Sequence, residues 1–186
     1  MKSRLSLFEE SNLSEEQSTI LQEIKNARGD LNGPFLAWLH SPELAQHSQK
    51  LGAFCRYHTQ LPNKLSELAI LVTAAWWQSQ SEWIIHAPIA LSEGVDSQVI
   101  EDIRVGKEPC FDADEERLIY QLGQSLYQTR RIDKVLYQEA SAHFGESVLV
   151  ELVGIFGYYA YVAMTLNSFE MLPSDCTEVD LPFQTS

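Results

Sequence analysis

The sequence predicts an all-α fold. Apolar residues recur at the i, i+3, i+4 spacing through most of the chain, runs alternating apolar with polar residues are scarce, and helix-start signals precede most periodic segments. With 186 residues and 45% hydrophobic composition, a single domain over 1–186 with a substantial core is the simplest organisation.

Ser14, with Glu15, Glu16 and Gln17, has the composition of a capping box and opens a helix running to about Gly29. Gly33 and Pro34 break the chain. Ser41 and Pro42 supply an N-cap and first turn for a helix through about His58, which "TQLPN" ends. From Leu65 to Trp77 only Ser66, Glu67 and Thr73 interrupt an apolar surface, which predicts a central helix buried on most sides. The turn "QSQS" leads into "SEWIIHAPIALSEG", which Gly94 terminates. Asp96 caps a short helix to about Val105, "GKEPCF" forms a loop, and Asp112 or Asp114 starts the next helix, followed by another over "IDKVLYQEASAHF". The last helix, "SVLVELVGIFGYYAYVAMTLNSF", is long and apolar. Glu151, Asn167 and its glycines argue against a membrane span and for a second core helix. From Pro173 onward the tail is polar and irregular.

The formal net charge of -13 is spread along the chain, so it repels polyanions and excludes nucleic acid as the expected partner. With no long apolar leader or uninterrupted membrane-length run, the expectation is a cytoplasmic protein without membrane contact. Cys55, Cys110 and Cys176 lie far apart and form no C-x-x-C, so they read as free thiols. Sequence separation leaves a redox partner for one of them open.

Glu82 and His86 stand four residues apart, on one helical face, among Trp83, Ile84, Ile85, Ile89 and Leu91. So apolar a segment leaves little of the helix for water, and the pair is expected to be at least half buried. Pro88 cannot bond back to the carbonyl of Ile84, so the helix is expected to bend or open one turn around His86. Glu67 lies on an apolar face beside Ile70, Leu71 and Ala74, where a carboxylate needs a partner, and His86 is available. If the two helices pair antiparallel, two carboxylates reach one histidine. Such a cluster either moves a proton near neutral pH or is a satisfied buried polar group.

Arg56 and Trp83 are the candidate substrate contacts, Arg56 through its forked donors or else as a cationic cap at its helix end beside Tyr57 and His58. Trp76, Trp77, Tyr158, Tyr159 and Tyr161 either line an apolar pocket or, as is commoner for aromatics at helical spacing, belong to the core. His40, His47 and His143 lack ligand-type spacing, so no metal is assigned.

The run "LPNKLSELAILVTAAWWQSQSEWIIHAPIALSEGVD", with "GPFLAWLHSP" before it and "VELVGIFGYYAYVAMTLNSF" near the end, resembles the carboxymuconolactone decarboxylase family of the alkylhydroperoxidase-D-like superfamily. The resemblance covers about residues 30–173. It implies a bundle of helices packed as antiparallel pairs, assembled as a homotrimer or homohexamer with sites near subunit contacts. In the peroxidase branch a glutamate on one helix is followed by a C-x-x-C pair and a histidine on the next. By position Glu67 matches that glutamate and His86 that histidine, while the cysteine places fall on Ser79 and Glu82, which cannot exchange thiols. The decarboxylase branch lacks those cysteines and carries a glutamate four residues before the histidine. The resemblance therefore implies a cofactor-free lyase acting by acid–base chemistry on a small carboxylated lactone or related acid, with His86, Glu82 and Glu67 catalytic. Peroxide reduction by a scattered cysteine, or a binding or assembly module without turnover, are the alternatives.

Overall fold

The computed structural model describes residues 2–6, 8–28, 31, 33–174 and 181. Among them lie eight α-helices: α1 (Glu15–Arg28), α2 (Phe35–Trp38), α3 (Pro42–Tyr57), α4 (Asn63–Trp76), α5 (Gln80–Ser92), α6 (Ser97–Arg104), α7 (Asp114–Thr129) and α8 (Lys134–Ser168). Outside them are a short 3₁₀ turn at Glu10–Asn12 and one antiparallel bridge between Lys2 and Leu172.

The expected capping chemistry is largely present. The Gln17 amide donates to Ser14 Oγ at 3.2 Å while the Ser14 amide donates to Gln17 Oε1 at 2.9 Å, the reciprocal pair of a capping box. The Asp96 carboxylate accepts from the amides of Gln98 and Val99 at the start of α6, and Asp133, which was not singled out from the sequence, does the same for Val135 and Leu136 at the start of α8. Ser41 makes no side-chain cap, so α3 starts on Pro42 alone. The expected end of α1 at Gly29 and the tail beyond Ser174 fall outside the described residues, except for buried Leu181.

Every residue of α4 from Leu65 to Ala74 is buried, because α5, α6, α7 and α8 all pack around it. α4 and α5 form an antiparallel hairpin closed by residues 77–79, and this hairpin positions the polar cluster described below. The two helices that the sequence separates near the end of the chain meet within α8 at Gly145, whose φ of 77° and ψ of 161° only glycine adopts without strain. α8 has the length and apolar composition to cross a membrane, yet Leu152, Ile155, Phe156 and Tyr159 on it are core residues.

Two local expectations fail. α2 is a helical turn where only a chain break was expected; it starts after Pro34 and is held by tertiary contacts, with Trp38 Nε1 donating to Thr165 Oγ1 at 3.2 Å and its ring stacked on Tyr161 at 4.9 Å. The expected opening of α5 at Pro88 does not occur: the helix runs on to Ser92. Pro88 is exposed, so its ring meets no packed neighbour that would force the helix to end there.

Close packing of α4, α7 and α8 depends on Gly123. A Cβ there would lie 2.7 Å from Val72 Cγ1 and 2.9 Å from Phe156 Cε1, both on buried side chains. Gly123→Ala is expected to destabilise the fold by about 1–3 kcal/mol through overpacking, despite alanine's better helix propensity. Urea unfolding checks this; a variant as stable as wild type would show that the three helices yield freely.

Candidate active site

Glu67 projects from the buried α4, and Glu82 and His86 from successive turns of α5. All three are interior, at 5%, 3% and 2% exposure. His86 Nδ1 lies 2.7 Å from Glu67 Oε2, and His86 Nε2 lies 3.7 Å from Glu82 Oε2. An ionised carboxylate only accepts, so whenever Glu67 carries its charge the Nδ1–H of His86 is the donor in this bond. Glu82 stands within ion-pair reach of Nε2 but beyond a hydrogen bond, which leaves that nitrogen available to exchange a proton with a third group. The convergence expected from the hairpin is thus present.

Arg56, in the last turn of α3, borders the same region. It lines a cavity of about 20 Å³ together with Glu82, His86 and Tyr159, and a second of about 200 Å³ together with Glu67, Asn63 and Ser66. Burial opposes its charge, but Tyr159, Tyr57, Glu67 and Glu82 outweigh that and hold the guanidinium above its ordinary value. Trp83 is placed differently: it is 3% exposed, belongs to the hydrophobic core, and lines neither cavity. A larger groove of about 890 Å³, flanked by Trp76 and Tyr120, contains none of these residues.

Tyr159 is the member that sequence reading missed. It sits edge-on to His86, with ring centroids 5.3 Å apart. Burial pushes its phenol well above the ordinary value; Glu82 adds to this and Arg56 opposes it, so the hydroxyl stays protonated at neutral pH. Flanked by Tyr158 and Tyr161 in an apolar helix, it carries no local signal that separates it from a packing aromatic.

Ser79, at one of the two positions where thiols would stand, is fully buried, and Glu82 occupies the other. Of the cysteines, Cys55 is buried, Cys110 is exposed, and Cys176 lies outside the described residues. Burial is the main cause that raises the Cys55 thiol to about 11, with Glu151 adding to it. At pH 8 its thiolate is then on the order of 0.1% of the population. With Cys110 and Cys176 replaced by serine, alkylation of Cys55 is expected to be at least ~100-fold slower at pH 8 than that of Cys110 in the converse variant, rising as the pH approaches 11. Equal rates would refute this. The raised value leaves stability unaffected below about pH 9, and the fold loses stability as the pH rises from there toward about 11, because the unfolded thiol ionises first.

No family model matches the chain, and no curated protein sequence matches it. Among solved structures it is similar to the alkylhydroperoxidase AhpD core of an uncharacterized peroxidase-related protein from Ralstonia eutropha JMP134, with a TM-score of 0.78 and 15% identity over 93% of each chain. It is also similar to an uncharacterized peroxidase-related protein from Silicibacter sp. TM1040, with a TM-score of 0.76 and 13% identity over 93% of this chain and 92% of that one. At such identities the likeness shows the fold: this is an alkylhydroperoxidase-D-like helical bundle.

Proposed function

We propose that the protein is a cofactor-free acid–base enzyme of the carboxymuconolactone decarboxylase type, acting on a small carboxylated lactone or related acid. One observation carries the reading: a buried histidine stands between two buried carboxylates, and Ser79 and Glu82 hold the places where a redox relative would need two thiols. His86 is the proton donor and acceptor. Glu67 fixes its tautomer and orientation through Nδ1, and Glu82 stabilises the charged imidazole near Nε2. Loss of carbon dioxide leaves the electron pair of the broken C–C bond on the substrate as an enolate, and a proton from His86 then quenches the carbon. Arg56 anchors the acid.

A homotrimer or homohexamer in the cytoplasm belongs to the same proposal. The outer faces of α3 and α8 offer apolar surface for self-association: Leu51, Phe54, Val150, Val153 and Met164 are all more than 40% exposed. Phe54 and exposed Tyr57 flank Arg56, which would bring that interface close to the site.

Peroxide reduction is the second reading, favoured by the names of the two similar structures alone. It lacks a matched thiol pair, and burial keeps the Cys55 thiol protonated, which makes that residue a poor nucleophile. The deciding measurement is a panel of small lactones and keto acids followed for released carbon dioxide, with peroxide consumption measured in parallel. Carbon dioxide from at least one substrate, abolished in His86→Ala, supports the lyase. Peroxide consumption that disappears when Cys55, Cys110 and Cys176 become serine, with no carbon dioxide from any acid, overturns it.

A further inference from the structure

The two cavities beside the relay differ in electrostatics as well as size. The larger presents Glu67 and Glu93 against Arg56, so an arriving anion meets two carboxylates and one guanidinium. The smaller presents Arg56, His86 and Tyr159 against the single carboxylate of Glu82. Arg56 alone lines both. At about 20 Å³ the smaller has room for one water-sized group, which suits a single oxygen rather than a whole substrate.

We propose that this small cavity is an oxyanion pocket, in which Tyr159 and Arg56 together hold one negatively charged oxygen of a small acid beside His86. The inference rests on the acid–base reading of His86 and adds Tyr159 as a catalytic residue. When a C–C or C–H bond next to a carbonyl breaks, its electron pair moves through carbon onto the carbonyl oxygen. The carbon dioxide departs or the proton passes to His86, and the new negative oxygen needs donors already in place. Arg56 supplies charge. Tyr159 supplies an O–H that stays protonated because burial and Glu82 disfavour its anion. Two such donors stabilise charge that develops during the reaction more than charge already spread over a resting carboxylate.

The test uses formate as a small carboxylate probe, with its binding read from the His86 imidazole resonance in protein carrying isotope-labelled histidine. His86→Gln assigns the signal. Formate is expected to shift that resonance saturably in the wild-type protein. Affinity is expected to fall by about tenfold or more in Arg56→Met and about fivefold in Tyr159→Phe. Unchanged affinity in Tyr159→Phe, or no shift in the wild type, overturns the proposal. If the phenylalanine variant does not fold, 3-fluorotyrosine at position 159 serves instead: a more acidic donor tightens formate binding, and an unchanged affinity overturns the proposal. Formate binding needs no turnover. A protein that binds formate through both residues yet releases no carbon dioxide sinks the lyase reading and keeps the pocket, whereas a lyase indifferent to both variants does the reverse.

Discussion

His86→Ala is expected to lower turnover by about 10²–10⁴-fold, the range over which a positioned general acid or base contributes. His86 bonds to Glu67 and also faces Glu82, so its loss separates the two carboxylates as well as removing the proton carrier. Alanine also leaves two buried acids without the imidazole between them, so part of any loss could reflect weakened structure. Two readouts separate the causes. The variant's circular dichroism and oligomeric state are expected to match wild type at the assay temperature, and added imidazole is expected to recover part of the rate by filling the vacated space. A rate unchanged from wild type ends the proposal, and so does a loss that follows unfolding and resists rescue. Glu67→Gln keeps an acceptor near Nδ1 but removes the charge, so its loss is expected to be smaller than that of His86→Ala.

The legibility of this fold followed the range of the interactions involved. Ser14 with Gln17, and Asp96, were readable because a cap is made within four residues. α4 was readable because a helix apolar all round has only one stable environment, the interior. The hairpin made the meeting of Glu67 with His86 foreseeable, since a short connection forces antiparallel neighbours. α2 was not readable: one helical turn has no periodicity to detect, and its stability comes from Tyr161 and Thr165 on α8, far along the chain. Tyr159 was hidden for the same reason. Its distinguishing neighbours, His86, Glu82 and Arg56, reside on α5 and α3, and nothing in "FGYYAYV" marks the one tyrosine that meets them. Of the bend or opening expected at Pro88, the opening does not occur, because one missing amide removes a single bond and the turns on either side hold the helix through to Ser92.

The second large effect is on stability. His86→Leu is expected to destabilise the protein by about 3–5 kcal/mol, since it takes from buried Glu67 its 2.7 Å partner. Glu67→Leu is expected to cost less, about 1–3 kcal/mol, because an imidazole can shed its charge and then loses mainly the 2.7 Å hydrogen bond. In the double variant neither group is left seeking the other, so its destabilisation should fall short of the sum of the singles by about 1–3 kcal/mol. Urea unfolding with unchanged m-values measures all three; additivity would show that the pair is not energetically coupled. The absolute stability of the double variant then separates the two meanings of the cluster. A polar group kept to hold α4 against α5 should leave the double variant far less stable than wild type. A group kept for proton transfer imposes desolvation on the core, and leucines of similar volume should replace it at little cost or even with a gain. A double variant close to wild type in stability but without turnover would mean that α4 and α5 pack adequately without the relay, and that the acid and base stay buried there because the chemistry requires them.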